Sequence, residues 1–424
     1  MYTAEPPYPE TRCEEVDNMV VEELVRPPIP RLLGEKGFIY IAKARELAER
    51  GVHVVNFGVG QPDFKPPVHV LEEAKRAIDE GFTGYTAAQG IRELREAIAD
   101  YLNERYGAGV SPEEILVTTG AKTAIFMSVL ALLGPGDEII IPEPSYYAYS
   151  EAARAIGAKP VFVPLRWLGG GQGFSLDLDA IESAITRRTK LIVLNNPHNP
   201  TGSLFEPKEV EALLELVRRH NIALLVDEIY DNYVYDGVFR SVLEHPEWKD
   251  YVLYVNGHSK TFAMTGFRLG YVAGKKEVIE ALRKLAVNIY SCAPSISQRA
   301  GVAALRGPWD PVRRMIEEFR RRRDLVYEEL SKIPGFEVAK PRGAFYIFPR
   351  IARVLKETGL STDEFSERLA EEKAVVTLPG TNFPDKAGEG FIRISFAVDR
   401  RDIVEGVRRI KEFVEEKMAT GNKK

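Results

Sequence analysis

The feature that most constrains the fold is an alternation of apolar, strand-length segments with amphipathic helical segments from about residue 68 to residue 305. Several of the strand segments are apolar on both faces, as strands covered by helices on both sides must be. The predicted strands are residues 114–119, 138–142, 159–164, 190–195, 222–227, 251–256 and 268–273. Such an alternation is typical of an α/β fold with a doubly wound, mostly parallel sheet, here of seven strands.

The pattern changes after about residue 308, where a long charged helix opens a smaller α+β unit. We therefore predict a large domain over residues 61–308 and a small C-terminal domain over residues 309–424. Residues 19–60 are too few to fold alone and are expected to pack on the small domain. Residues 1–18 are acidic and proline-bearing, unlike a secretory signal, and are expected to form a flexible tail.

Composition excludes several classes of protein. The chain is 45% hydrophobic and 28% charged, which suits a packed globular core. Lys and Arg number 57 against 62 Asp and Glu, so no positive excess favours nucleic acid as a partner. No apolar stretch reaches the roughly 20 residues of a membrane span. The two cysteines, Cys13 and Cys292, cannot form a disulfide framework, and the six histidines show no metal-binding spacing. A cytoplasmic protein without a metal is expected.

Reactive side chains follow the predicted strands, where ligands of open α/β sheets bind. Asn199 follows one strand in AsnProThrGly, and Asp227 and Tyr230 follow the next in AspGluIleTyr. Lys260 and Arg268 follow a third strand. Each residue alone has an ordinary structural explanation, such as a helix cap for the aspartate. Together, an amine, a carboxylate, a phenol, an amide and an arginine at one sheet edge predict a site for a phosphorylated aromatic cofactor that forms a Schiff base.

These motifs resemble those of the fold-type I, class I aminotransferases, which use pyridoxal 5′-phosphate. The resemblance covers about residues 24–415 and rests on AsnProThrGly, AspGluIleTyr, SerLysThrPheAlaMetThrGlyPheArgLeuGlyTyr and PheIleArgIleSerPhe. It implies transfer of an amino group from an L-amino acid to a 2-oxo acid by a ping-pong mechanism. It also implies a homodimer with shared active sites, because Tyr85 is similar to the residue that reaches the phosphate of the neighbouring subunit.

The resemblance implies three catalytic residues, Lys260, Asp227 and Tyr230. Lys260 would hold the cofactor as a Schiff base and then move a proton at the substrate α-carbon. Asp227 would pair with the pyridine nitrogen and keep it protonated, so that the ring accepts electrons. Tyr230 and Asn199 would hydrogen-bond the 3′ oxygen of the ring.

The remaining cofactor contacts are also implied by the resemblance. Arg268 and the backbone of Ala121 and Lys122 would hold the phosphate at the start of an apolar helix. Tyr146 would stack on the ring face, with Tyr147 as a competing choice.

The substrate would be bound by Gly60, Lys122, Tyr146, Asn199 and Arg393. Arg393 lies on an apolar, alternating strand, where a guanidinium needs a partner. That partner is a protein carboxylate or, by the resemblance, the α-carboxylate of the substrate. Gly60 would let the backbone approach the substrate.

The sequence defines the amino-acid substrate less closely than the cofactor. Val287 stands where many aspartate-specific relatives carry an arginine, and Gly257 stands where some carry a phosphate-binding serine. Lys122 resembles a lysine of a second aspartate-using subgroup, although it could equally face the phosphate or solvent. That subgroup also uses a threonine near Gly37 and Phe38 of this chain. Aspartate with 2-oxoglutarate is favoured, and alanine, aromatic or branched-chain amino acids remain open.

Two other functions are compatible with parts of the pattern. A β-elimination lyase would use the same lysine and aspartate, and nothing in the motifs excludes it. A ligand-sensing regulator would need an added DNA-binding domain, and the acidic N-terminal residues cannot form one.

Overall fold

The computed structural model describes Ile29, Leu32, residues 46–384 and residues 386–421. The predictions for residues 1–18, for Gly37 and Phe38, and for most of residues 19–60 therefore lie outside the described residues.

The described strands and helices follow one another in mixed α/β order. The strands are β1 Val55–Asn56, β2 Ile115–Thr118, β3 Glu138–Glu143, β4 Lys159–Pro164, β5 Arg166–Trp167, β6 Phe174–Ser175, β7 Thr189–Asn195, β8 Ala223–Asp227, β9 Val252–Gly257, β10 Gly270–Ala273, β11 Tyr346–Ile347, β12 Val375–Val376, β13 Leu378–Pro379 and β14 Ile392–Ser395. The helices are α1 Val68–Asp79, α2 Arg92–Tyr106, α3 Ala121–Leu132, α4 Ala148–Ala155, α5 Leu178–Ser183, α6 Pro207–His220, α7 Trp248–Tyr251, α8 His258–Thr261, α9 Lys276–Ile289, α10 Ser295–Arg306, α11 Asp310–Leu330, α12 Ala352–Thr358, α13 Thr362–Lys373 and α14 Arg400–Gly421. Short 3-10 turns cover Pro112–Glu114, Val242–Glu244, Thr265–Phe267 and Gly380–Asn382.

The central sheet has seven strands in the order β2-β10-β9-β8-β7-β3-β4. Strands β9, β8, β7, β3 and β4 are parallel, and β10 runs antiparallel to both of its neighbours. All seven strands coincide with the predicted ones to within two residues at either end. The predicted α/β fold with a mostly parallel sheet is confirmed.

Both faces of this sheet are buried, which explains the apolar strands. In β7, Ile192 and Leu194 pack on one side with helices α2, α5 and α6. Leu191 and Val193 point to the other side and pack with α3, α4 and α9. Successive side chains of a strand face opposite sides, so a strand between two helix layers must be apolar at every position.

A second hydrophobic cluster gathers residues that follow residue 310. Helices α11, α12, α13 and α14 pack there against strands β11 and β14 of the antiparallel sheet β11-β14-β13. Val55 and Phe57 belong to the same cluster, because β1 pairs in parallel with β12. The chain then runs from Phe57 toward the carboxyl edge of the central sheet. The domain boundaries given above stay a prediction.

Local sequence signals set several helix ends. At α13, the Ser361 hydroxyl accepts from Glu364 N–H at 3.2 Å, and the Glu364 carboxylate accepts from Ser361 N–H at 2.9 Å. This reciprocal capping box satisfies two backbone donors that the helix cannot. None of the helices in the described part of the chain has the length and apolar character that crossing a membrane requires.

Candidate active site

A cavity of about 550 Å³ opens at the carboxyl ends of β7, β8 and β9. Residues that follow β12 also line it, namely Leu378, Asn382 and Phe383. Every residue that the sequence analysis assigned to the site lines this cavity, except Tyr85; these are Gly60, Ala121, Lys122, Tyr146, Asn199, Asp227, Tyr230, Lys260, Arg268 and Arg393. The fold therefore brings together side chains that lie more than 300 residues apart.

Asp227 is the last residue of β8 and is buried. Its Oδ2 accepts from the Tyr149 hydroxyl at 2.8 Å, and its Oδ1 accepts from Ile229 N–H at 3.1 Å. Burial raises the pKa of Asp227 to about 6, while these two hydrogen bonds and the charge of Lys260 act to lower it. A buried carboxylate with so little protein counter-charge is suited to hold a cationic group of a ligand.

Lys260 lies in α8, the single helical turn that follows β9. Its Nζ donates to the carbonyl of Gly60 at 2.6 Å and lies 5.7 Å from the centre of the Phe345 ring. The positive charge of this ammonium acts to lower the pKa of Asp227. A primary amine and a carboxylate thus share one cavity wall, at the ends of adjacent strands.

Tyr230 and Asn199 present a phenol and an amide beside this pair. The Tyr230 hydroxyl lies 2.8 Å from the Tyr346 hydroxyl, and burial raises the pKa of Tyr230 well above its usual value. The backbone N–H of Asn199 donates to Asn195 Oδ1 at 2.8 Å, which anchors the AsnProThrGly turn to the end of β7. Both side chains are buried and held on fixed backbone.

Arg393 lies on β14 and lines the same cavity. Its Nη2 donates to the Gly58 carbonyl at 2.7 Å, and its Nη1 lies 3.3 Å from Asn199 Oδ1. Among the described residues it forms no salt bridge, and its buried Nε has no hydrogen-bond partner. The prediction left open a protein carboxylate as the partner, and the described chain offers none. A buried, uncompensated guanidinium is a binding group for an anion.

Arg268 stands beside the first turn of α3. Its backbone is left-handed, with φ 52°, and its Nη1 donates to the Thr265 carbonyl at 2.9 Å. A Cβ at Gly120 would lie 2.4 Å from Arg268 Nη2, so only glycine lets the guanidinium approach the helix start this closely. A helix N-terminus beside a guanidinium is suited to bind a phosphate.

Close packing of the backbone explains why position 257 is a glycine. A Cβ there would lie 2.9 Å from both the Cα of Gly270 and the carbonyl oxygen of Leu269. The conformation is extended, so the restriction comes from the close approach of β9 and β10 and not from φ. A serine side chain would therefore clash at position 257, and Ser259 is a nearby hydroxyl residue that lines the cavity.

Lys122 and two tyrosines form the outer rim. Lys122 Nζ donates to the Tyr147 hydroxyl at 2.7 Å and lies 5.4 Å from the centre of the Tyr146 ring. The Tyr146 and Tyr147 rings meet edge to face, with centres 4.9 Å apart. The ammonium of Lys122 is thus directed to the cavity mouth and away from the core of α3.

Tyr85 is the one assigned residue that this chain does not bring to the cavity. It is 92% exposed. Cys292 also lies outside the cavity lining, where its Sγ accepts from Thr86 N–H at 3.5 Å. Among the described residues, no group of three His, Cys, Asp or Glu side chains could hold a metal ion.

Three cavity residues with clear contacts were missed by sequence reasoning. Tyr149 holds Asp227, Tyr346 holds Tyr230, and Asn195 holds the Asn199 turn. Tyr149 lies only three residues after Tyr146, so its place near the sheet edge could have been noticed. For Tyr346, no signal in the sequence connects it with the site.

Comparison with known proteins agrees with this geometry. The family model described as "Aminotransferase class I and II" matches residues 52–410. The chain is 49% identical to the aspartate aminotransferase of Sulfolobus acidocaldarius, over 91% of this chain and 96% of that protein. It is 38% identical to aromatic-amino-acid aminotransferase 2 of Thermococcus litoralis, over 89% and 96%. The crystal structure of the aspartate aminotransferase from Rhizobium meliloti superposes with a TM-score of 0.85 at 36% identity, over 92% of this chain and 98% of that one.

The fold and the cavity define an α/β protein whose cavity places an amine and a carboxylate beside two guanidinium groups. Because the family model matches most of its length, the chain belongs to the class I and II aminotransferases. The predicted transfer of amino groups is therefore confirmed.

Proposed function

We propose that this chain uses pyridoxal 5′-phosphate to move an amino group from an L-amino acid, with aspartate favoured, to a 2-oxo acid, with 2-oxoglutarate favoured. One observation carries the proposal: Lys260 and the buried Asp227 share a cavity with Arg393, a guanidinium that no described carboxylate neutralises. An amine, a carboxylate and an anion-binding group in one cavity are what transamination requires.

The residues present fit this cofactor. Asp227 would pair with the ring nitrogen, Tyr230 and Asn199 would bind the ring oxygen, and Arg268 with the start of α3 would bind the phosphate. The close approach of Arg268 to Gly120 supports the phosphate assignment, because it builds a cradle that a Cβ would fill. When bound, pyridoxal phosphate supplies an aldehyde carbon that reacts with amines and a ring that takes up electrons from the substrate α-carbon.

Lys260 provides the base. The Gly60 carbonyl holds its Nζ inside the cavity, close enough to Asp227 for their charges to interact. Once the substrate is in place, this amine would take the proton from the α-carbon and later return it. Tyr149 keeps the Asp227 carboxylate in position and, by donating to it, favours its ionised form.

Arg393 would bind the α-carboxylate of the substrate. Its buried Nε and its neutral partners leave its charge available to an anion. Lys122 would meet the second carboxylate of aspartate at the rim, which agrees with the name of the Sulfolobus relative. Tyr146, Tyr147 and the Phe383 ring also line the cavity and could accept an aromatic side chain, as the name of the Thermococcus relative suggests.

We further propose that the enzyme is a cytoplasmic homodimer. Tyr85 would reach the phosphate of the partner's site, which agrees with its full exposure in a single chain. Two cysteines far apart in the sequence fit a reducing compartment.

The visible spectrum of the purified protein tests the proposal. With pyridoxal phosphate we expect an absorption band, and with aspartate alone, without any 2-oxo acid, we expect this band to bleach faster than with alanine, phenylalanine or leucine. Lys260→Ala should not form this band, because it removes the amine that would hold the cofactor as a Schiff base, and a variant that keeps the band would contradict the role of Lys260. Lys208→Ala, an exposed lysine of α6, is the matched control. Fastest bleaching by another amino acid would overturn the choice of aspartate, and absence of the band would overturn the cofactor.

A further inference from the structure

Tyr346 contacts three parts of the cavity and has no assigned role. It lies on β11, where it pairs with Ser395 of β14, two residues beyond Arg393. The side chain is buried and lines the cavity. A tyrosine so placed joins the small antiparallel sheet to the edge of the central sheet.

Its hydroxyl forms the first contact. It lies 2.8 Å from the hydroxyl of Tyr230, at the centre of the cavity wall. A phenol that donates to a ligand through its O–H becomes a stronger donor when its own oxygen accepts a hydrogen bond. Tyr346 can supply that hydrogen bond to Tyr230.

Its ring forms the second contact. The guanidinium carbon of Arg393 lies 4.5 Å from the centre of the Tyr346 ring, closer than its 5.0 Å to the Phe383 ring. A guanidinium that lies over an aromatic face is attracted to the ring, which restricts its movement. The ring therefore fixes the orientation of Arg393.

The backbone packs around this tyrosine. A Cβ at Gly60 would lie 2.5 Å from the Tyr346 hydroxyl oxygen, so a side chain at position 60 would displace that hydroxyl. A Cβ at Gly202, the last residue of AsnProThrGly, would lie 2.3 Å from the Tyr346 carbonyl oxygen. The segment that holds Lys260 and the turn that carries Asn199 are thus both built against Tyr346.

We propose that Tyr346 is a positioning residue that holds the Tyr230 hydroxyl and the Arg393 guanidinium in one connected unit. This inference rests on the proposed function, in which Tyr230 binds the ring oxygen of the cofactor and Arg393 binds the substrate carboxylate. Through Tyr346, the geometry of the two binding events is coupled.

Two variants separate the hydroxyl from the ring. Tyr346→Phe removes the hydroxyl and keeps the ring, whereas Tyr346→Met also removes the ring while filling similar space. The first readout is the pH midpoint of the visible absorption of the substrate-free, pyridoxal phosphate-bound protein. The second is the dissociation constant of succinate, an unreactive dicarboxylate, measured by spectral titration. Tyr327→Phe, on α11 outside the cavity lining, is the control.

For Tyr346→Phe we expect the pH midpoint to rise by about 0.3 to 1 unit, with the succinate dissociation constant within about threefold of wild type. The midpoint rises because a weaker hydrogen bond from Tyr230 stabilises the deprotonated form of the bound cofactor less. Tyr230→Phe should give a larger shift in the same direction. The charged groups that face Tyr230 are Arg393 and Asp227, and Tyr346→Phe keeps the ring that packs on Arg393.

For Tyr346→Met we expect the same pH shift and a succinate dissociation constant weakened by about tenfold. If Tyr346→Met does not fold, Tyr346→Leu takes its place. An unshifted midpoint in Tyr346→Phe, or unchanged succinate binding in the ring-less variant, would overturn the inference. A wild-type protein without a visible band would instead overturn the proposed function.

Discussion

At the residue scale, Asp227 and Glu228 are neighbouring buried carboxyl groups with different surroundings. Asp227 faces the cavity, whereas Glu228 faces away from it and accepts from the Ser241 hydroxyl at 2.6 Å and from Val242 N–H at 3.1 Å. Burial raises the pKa of Glu228 to about 8, against the effect of both hydrogen bonds. Asp227 thus lines the cavity, whereas the next residue, Glu228, holds the turn that begins at Ser241.

The raised pKa of Glu228 predicts how stability depends on pH. In the folded protein the pKa of this carboxyl is about 8, so it stays protonated up to about that pH, whereas in the unfolded chain it has the ordinary glutamate pKa of 4.5. The contribution of Glu228 is therefore complete below about pH 4.5 and is lost as the pH rises to 8. Relative to Glu228→Gln, we expect wild type to lose about 1–3 kcal/mol of unfolding free energy between pH 5 and pH 8 in urea titrations.

A control separates this titration from the turn that surrounds it. Glu244, an exposed carboxylate of the same turn, accepts from Ser241 N–H at 3.0 Å. Glu244→Gln should change stability by a similar amount at all pH values in the range. A constant difference between wild type and Glu228→Gln from pH 5 to pH 8 would contradict the prediction.

At the element scale, the start of α3 and the strand after Arg268 form one cradle, which the proposed function assigns to the cofactor phosphate. A Cβ at Gly270 would lie 2.4 Å from Ala121 N, and a Cβ at Gly120 would lie 2.4 Å from Arg268 Nη2. Two glycines thus bring the helix start, β10 and a guanidinium into direct contact. The apolar run after Gly120 predicts the helix, but not how closely these elements approach each other.

Gly120→Ala tests the cradle. The added methyl group would displace Arg268 and would also strain a backbone at φ 90°. We expect the dissociation constant of pyridoxal phosphate, measured by fluorescence titration of the cofactor-free protein, to rise about tenfold or more. Gly136→Ala is a matched control, because Gly136 has φ 88° and nothing within 4 Å of the new Cβ. It should lose stability without losing affinity for the cofactor, and equal affinity loss in both variants would argue against the cradle.

At the scale of the whole molecule, Tyr85 of a single chain is exposed and lies outside the cavity that the other assigned residues line. The proposed dimer places it in the partner's site. A site composed of two chains makes cofactor binding dependent on assembly, since neither protomer alone offers every contact.

Hybrid dimers test this arrangement. Co-expression of Lys260→Ala with Tyr85→Ala should yield a heterodimer with one site intact, because the wild-type lysine of one chain meets the wild-type tyrosine of the other. We expect half of the heterodimer's sites to bind pyridoxal phosphate with wild-type affinity, whereas Tyr85→Ala alone should bind it about tenfold more weakly. Tyr85→Phe, which keeps the ring, is the control for packing. A heterodimer with only weak sites would place Tyr85 in the site of its own chain.

The sequence alone determined the α/β class, the seven strands of the central sheet and the main cavity residues. Strands and helices follow from local periodicity, because burial on two faces requires continuous apolar runs. The sequence predicts that Lys260, Asp227 and Asn199 share one edge of the sheet. Each of them lies at or just after the carboxyl end of a parallel strand, and the carboxyl ends of such strands converge.

Only the tertiary structure decided how these groups are held. Tyr149 and Asp227 are 78 residues apart in sequence, and Tyr230 and Tyr346 are 116 apart, so no local pattern connects them. No local pattern explains the glycines at 60, 120 and 257 either, because the segments that leave little room for a side chain there are distant in sequence. Periodicity specifies which face of an element is buried, whereas side-chain partners across elements depend on the complete packing of the chain.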